Sequence, residues 1–471
     1  MSIKRSIVQG SVLIGTTQIV QYCARFITAL FLVRYLLPED FGSMALIYSV
    51  FSFIDALKMV PLNKVIIQKK NVDGNAYSTV FWFNLIKDII VGVFLLAAVS
   101  FMPFSLPVKQ VLYLFSLKIF FDSFAFMPIC ILEKNLKFKK MAIIYLGEIV
   151  IYAISVILCV YWGLGIVSFG VAVLIQYIFR SLLSFLFSEW FPRLFISLKS
   201  VMSFRDFSLY YYFMRILKYG LEKSEYYFIA LLSTLGNVGL FYIATEITNI
   251  VLNPFHIIAA RALYPAFSII SNDDNGLRRY YLICLQYLLC GSVAFYGSLI
   301  VLAPRCAAYF LTGLWQEIMI PFQILAVSGI AKPVSLLIEV MLIARGDIRD
   351  IFRCNYFTAL IRLILIWLGI KGGLIGVAIA ISVFEVLFCF ILVYFSSHRL
   401  HISLSVIFIY IMRPLSFILA GIGLLFMCTF FLPQHFLITF GLIFIVFAIY
   451  GTAGFYQLRS AVRYFSSDKT E

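Results

Sequence analysis

Two stripes of polar side chains run through segments that are otherwise apolar. Ser11, Gln18, Gln21, Arg25 and Thr28 are spaced 7, 3, 4 and 3 residues apart, which places them on one face of a helix. Tyr211, Arg215, Lys218, Glu222 and Glu225, spaced 4, 3, 4 and 3, form a second such face. Lys218 and Glu222 can neutralise one another at i,i+4, which leaves Arg25 and Arg215 with no acid three or four residues away in their own helices. Arg34 and Arg362 share that property. A guanidinium in hydrocarbon is costly unless it meets a partner, water or a ligand. Its planar fork suits an anion that accepts two parallel hydrogen bonds, as a phosphate does. Arg25, Arg215, Gln18, Gln21, Arg34, Lys218, Tyr211 and Arg362 are therefore the candidate contacts for an anionic substrate, with Arg25 and Arg215 foremost.

The acidic residues divide in the same way. Asp55, Asp88, Glu222 and Glu225 are the carboxylates a coupling ion would use, although Lys58 and Lys87 lie beside the first two. Lys118 and Asp122 are expected to pair at i,i+4. Glu148 with Arg180, and with reversed sign Arg362 with Glu385, stand at matching depths and are expected to form two bridges between helices. Catalytic and metal chemistry find little support. There is no Walker motif and no H-E-x-x-H, and His256, His398, His401 and His435 are scattered. The nine cysteines lack any C-x-x-C and sit mostly in apolar runs, which marks them as reduced and structural. No metal and no cofactor is expected.

The elements that must position these residues follow from composition. Of 471 residues, 63% are hydrophobic and 13% charged, far from the balance of a soluble domain. That excludes a soluble enzyme and a nucleic-acid-binding domain; the net charge of +15 has to be read loop by loop. Apolar runs of spanning length fall at about 7–36, 41–60, 77–101, 108–132, 141–161 and 166–188. Others lie at about 206–232, 238–260, 279–302, 318–343, 352–370, 373–396, 406–431 and 436–457. Alternate loops are rich in Lys and Arg, for example Lys134, Lys137, Lys139 and Lys140, or Arg345, Arg349 and Arg353. The opposite loops hold only Lys109, Arg305 and Lys371. This asymmetry predicts fourteen helices, all-α, with both termini cytoplasmic.

The chain also reads as a duplication. Pro128 and Pro333 lie 205 residues apart, Gly170-Val171-Ala172-Val173 and Gly376-Val377-Ala378-Ile379 lie 206 apart, and Gly42 and Gly239 lie 197 apart. Six spans separate the copies, so the repeats run in the same direction through the membrane. The expectation is two six-helix lobes, 1–200 and 201–400, around a central cleft, followed by two further helices and a short tail in 401–471. Such a plan belongs to alternating-access transporters.

Several stretches then resemble a known family. ARFITALFLVRYLLPEDFGSMAL (24–46), VIIQKK followed by STVFWFNL (65–85), YWGLGIVSFGVAVL (161–174) and WFPRLF (190–195) occur in order. They continue with LGNVGLFYIA and ALYPAFS (235–268) and GLIGVAIA (373–380). The ordered set resembles the polysaccharide transporter family of the multidrug/oligosaccharidyl-lipid/polysaccharide exporter superfamily, in particular Wzx-type flippases of the colanic-acid and teichuronic-acid kind. The resemblance implies movement of an undecaprenyl-diphosphate-linked oligosaccharide across the bacterial inner membrane for surface polysaccharide synthesis. It further implies lobes that open alternately, other polysaccharide assembly proteins as partners, and coupling to a proton or sodium gradient. Two rival readings stand beside it. One is an ion-coupled drug exporter of the same superfamily, whose cation-antiporting members tend to use acids in the first span; here Arg25 stands there instead. The other is a membrane glycosyltransferase using Glu39 and Asp40 on an early outer loop, a segment that reads equally well as a tight turn.

Overall fold

The computed structural model describes residues 3–58, 74–195, 220, 223–258, 263–271, 273–310 and 313–431. The protein is an all-α polytopic membrane protein. Its helices are α1 (Ile3–Leu32), α2 (Pro38–Lys58), α3 (Gly74–Phe101), α4 (Leu106–Lys134), α5 (Phe138–Tyr161) and α6 (Val167–Ser188). After these come α7 (Ser224–Leu232), α8 (Leu235–Ile258), α9 (Tyr264–Ile270) and α10 (Asp274–Phe310). The last four are α11 (Met319–Arg345), α12 (Ile348–Gly369), α13 (Gly373–Arg399) and α14 (Leu404–Phe431). Eight segments among the described residues are long and apolar enough to cross a bilayer. The spans expected up to residue 188 coincide with α1 to α6, and those from 238 to 431 with α8, α10, α11, α12, α13 and α14. The span at 436–457 and most of that at 206–232 lie outside the described residues.

Two compact units are present, Met1–Tyr242 and Ile243–Glu471. The division falls inside α8. Three helix pairings recur in each unit, while the fourth contact differs. In the first, α4 packs along α6, α5 along α6 and α3 along α4, with α1 laid on α5. In the second, α11 packs along α13, α12 along α13 and α10 along α11, with α14 laid on α10. Pro128 lies inside α4 and Pro333 inside α11, as the 205-residue offset requires.

Helix ends repeat as well. Beyond α4, the Leu136 and Lys137 N–H groups donate to the Glu133 and Leu132 carbonyls (3.0 and 2.9 Å). Beyond α11, Gly346 and Asp347 donate to Ile343 and Leu342 (3.1 and 3.0 Å). Both are Schellman caps with a left-handed residue, at φ 54° for Leu136 and 98° for Gly346. Glu189 after α6 and His401 after α13 are also left-handed (φ 57° and 49°). Glu189 accepts a 2.8 Å hydrogen bond from Lys140 Nζ, which holds its carboxyl below the usual carboxylate range.

Candidate functional site

The first unit carries a polar interior built on α1 to α6. Because α1 lies along α5, Gln21 reaches across: its Nε2 donates to Glu148 Oε1 (3.1 Å) and to the Tyr145 carbonyl (2.6 Å). One turn further along α1, Arg25 is exposed, yet its electrostatic neighbours come from three other helices: Tyr48 of α2, Glu148 and Tyr152 of α5, and Tyr177 of α6. Arg25 forms no hydrogen bond or ion pair with the described residues. It therefore presents five N–H donors to accessible space inside the helical set. The Tyr48 and Tyr152 side chains neighbour one another beside it, and the Tyr48 ring is set edge-on against Phe115 at 5.3 Å.

Behind Arg25 runs a ladder of charges whose signs alternate. Glu148 Oε2 lies 3.8 Å from Arg180 Nε, and Arg180 lies 3.9 Å from Asp122. Lys118, one turn before Asp122, sits 3.0 Å from Asp55. Asp55 is 3.0 Å from Lys58, which reaches Asp88 at 3.8 Å, and Asp88 is 3.4 Å from Lys87. Tyr177 is the spacer in the middle, with Lys118 Nζ 4.7 Å and the Arg180 guanidinium 5.7 Å from its ring centre. Asp88 also accepts from Ser123 (2.5 Å), and Ser123 is tied to Asn84 (3.0 Å). Within the ladder each carboxylate has a cation within 4 Å. Arg25, at its exposed end, is the cation without one. Buried charges demand such pairing, whereas a cation at an accessible position is open to an external anion.

The other candidate residues stand as follows. Gln18 is half-buried on α1, and Thr28 is buried with its hydroxyl bonded to the Ala24 carbonyl (2.8 Å). Arg34 is exposed in the turn after α1. Arg215, Tyr211, Lys218 and Glu222 lie outside the described residues. Glu225 is buried in the first turn of α7. Asp55 and Asp88 each face two lysine ammonium groups, so a coupling cation there would compete with the protein's own charges.

Two expected pairings are corrected. Lys118 pairs with Asp55 across the α2–α4 contact at 3.0 Å, not with Asp122, which lies 3.9 Å from Arg180 of α6 instead. Glu385 lies 4.0 Å from Lys332 of α11, while Arg362 places its guanidinium 5.7 Å from the Phe384 ring centre. The α11–α13 interface is the closest-knit of the second unit, and it brings Lys332 to Glu385 first. By contrast the Glu148–Arg180 approach is present at 3.8 Å. Sequence reading missed Tyr48, Tyr152 and Tyr177, whose only signal was their position on the same helices as the charges. Asp40 accepts from the Leu37 N–H (3.1 Å), a capping role for the acid that a glycosyltransferase would have needed. Among the described residues no group of His, Cys, Asp and Glu is placed to hold a metal.

A family model described as polysaccharide biosynthesis protein matches residues 31–320. An uncharacterized membrane protein in the cps region of Klebsiella pneumoniae is 24% identical over 386 residues, covering 78% of each chain. The lipopolysaccharide biosynthesis protein WzxC of Escherichia coli strain K12 is 23% identical over 374 residues, covering 76% of this chain and 74% of WzxC. Among solved structures, the lipid II flippase MurJ in an inward closed conformation superposes with a TM-score of 0.75 at 16% identity, covering 95% of this chain and 99% of MurJ. An inward-facing multidrug resistance MATE family transporter of the MOP superfamily superposes with a TM-score of 0.66 at 16% identity, covering 81% and 94%. At these identities the solved structures establish the fold.

Proposed function

The chain belongs to the family of polysaccharide biosynthesis proteins, and from that membership we propose that it is a flippase for a lipid-linked oligosaccharide, carried by its diphosphate on Arg25. It is a transport protein of polysaccharide synthesis and not an enzyme. The observation that carries the finer reading is Arg25 itself: exposed, without an ion pair, at the end of a ladder in which Lys58, Lys87, Lys118 and Arg180 all have carboxylates. A diphosphate offers the guanidinium fork two oxygens at once, and Tyr48 and Tyr152 add hydroxyls beside it. A lipid tail would lie along apolar helix surface while glycan and diphosphate occupy the polar interior.

A cationic drug would need the reverse arrangement, an accessible carboxylate without a partner. Asp55, Asp88, Asp122 and Glu148 each have a lysine or arginine within 4 Å instead. Proton or sodium coupling enters this proposal only through a carboxylate released from its cation during the cycle. We place the protein in the bacterial inner membrane with both termini cytoplasmic, as the basic loops require, and take an undecaprenyl carrier as the lipid.

Deleting the gene and measuring lipid-linked intermediates by mass spectrometry tests the function. One completed repeat unit should accumulate on its diphosphate carrier, and its mass would identify the glycan. Unchanged intermediates together with altered drug resistance would overturn the assignment.

A further inference from the structure

Arg180 stands between two carboxylates and closes on neither. Its Nε is 3.8 Å from Glu148 Oε2 and its Nη1 is 3.9 Å from Asp122 Oδ1, about 1 Å longer than a charge-assisted hydrogen bond. Glu148 Oε2 and Arg180 Nε are both buried, and neither has any hydrogen-bond partner. The cause lies in how each group is tethered. Glu148 is held toward α1 by Gln21, bonded to its other oxygen, while Asp122 on α4 draws Arg180 the other way. The Arg180 guanidinium also lies 5.7 Å from the Tyr177 ring centre, a contact compatible with an approach to either carboxylate.

A shared guanidinium neutralises Glu148 incompletely, and the next cation within electrostatic reach of Glu148 is Arg25. We propose that Glu148 is a specificity-determining counter-ion, a built-in competitor with the substrate's diphosphate for Arg25, and that its strength is set by whether Arg180 leans on Glu148 or on Asp122. This rests on the reading of Arg25 as the diphosphate contact. With Arg180 on Glu148, the competitor is silenced and Arg25 holds the anion. With Arg180 on Asp122, Glu148 carries a free charge in a low-dielectric lobe and discharges the anion from Arg25. A transporter needs such a device, because a ligand bound tightly enough to enter must also leave.

The prediction is unusual in sign: removing a charge from the site should tighten binding. Glu148→Gln keeps the hydrogen bond to Gln21 and removes the competing charge. In purified full-length protein it should bind inorganic pyrophosphate and a polyprenyl diphosphate about tenfold more tightly, while turnover in vesicles falls. Asp122→Asn should do the same by leaving Arg180 to Glu148 alone. The double variant should bind no more tightly than Glu148→Gln, since Asp122 acts only through Glu148. Asp122→Asn also serves where Glu148→Gln reduces abundance. Unchanged or weaker binding in both stable variants overturns the proposal. Tightening in Glu148→Gln with none in Asp122→Asn overturns the part played by Arg180. A separate arm isolates the underlying reading: Arg25→Ala should lose binding in every background. Loss in Arg25→Ala with no tightening in either variant sinks this inference and leaves the flippase site standing, whereas undiminished binding in Arg25→Ala overturns both.

Discussion

Gly42, in the first turns of α2, and Gly239, in the first turns of α8, lie directly against one another. A Cβ on Gly42 would collide with the Leu235 carbonyl oxygen, and a Cβ on Gly239 would collide with the Pro38 carbonyl oxygen. The contact is reciprocal between residues at equivalent positions of the two repeats. Backbone cannot swing aside as a flexible side chain can. Gly42→Ala and Gly239→Ala should each lower stability by about 1–3 kcal/mol, the cost of overpacking a well-packed contact. Thermal unfolding of the purified variants checks this, and unchanged melting in either would contradict the close approach.

The left-handed caps make a paired prediction. Leu136 is an L-residue in a conformation that costs about 1–2 kcal/mol, and it is partly exposed, so little packing is lost on its removal. Leu136→Gly should leave stability unchanged or raise it by up to about 1 kcal/mol. Gly346→Ala, at the matching position after α11, should lower it by about 1 kcal/mol. Opposite signs at equivalent positions are expected from the melting temperatures.

The ladder predicts a rank order. Lys58 is buried and serves both Asp55 and Asp88, whereas Lys87 is half-buried and serves Asp88. Lys58→Met should reduce folded protein more than Lys87→Met, with a loss of about 3–5 kcal/mol expected when a buried pair is broken on one side. Adding Asp88→Asn should restore part of the loss. Equal yields for the two lysine variants would show that Lys58 is not the shared cation.

Orientation is read from accessibility. Asn135 lies among the lysines after α4, and Trp162 lies at the opposite end of α5. In a background without native cysteines, of which Cys23 is exposed, a cysteine at Trp162 should react with an impermeant external reagent. One at Asn135 should not. The reverse pattern would invert the topology.

Much of the fold was legible because hydrophobic length, loop charge and the repeat offset all constrain the same helices. Pro128 and Pro333 announced their helix pair before any packing was known. The caps were half legible: Gly346 signals a left-handed residue by its type, whereas Leu136, Glu189 and His401 give no such signal and are held by tertiary context. Arg25 was legible as a mid-span cation lacking an acid in its own helix. The partners of Lys118 and Glu385 were not, because pairing between helices depends on rotation and depth, which one-dimensional spacing does not fix. Asp55 reached Lys118 and Lys332 reached Glu385 for that reason. The tyrosines around Arg25 were hidden by abundance, since aromatic residues make up 17% of the chain.

The central claim is that Arg25 holds the substrate's diphosphate, and transport by reconstituted protein tests it most directly. A labelled lipid-diphosphate-linked oligosaccharide is placed in one leaflet of vesicles, and its appearance in the other is followed for wild type, Arg25→Ala and Arg25→Lys at matched protein content. Loss of one charge-assisted contact should weaken binding by about 1.5–3 kcal/mol, roughly ten- to a hundredfold. Arg25→Ala should therefore fold normally and move little substrate. Arg25→Lys should recover part of the rate, since ammonium keeps the charge and loses the fork. Stable Arg25→Ala protein that binds and moves the substrate as wild type does would contradict the account.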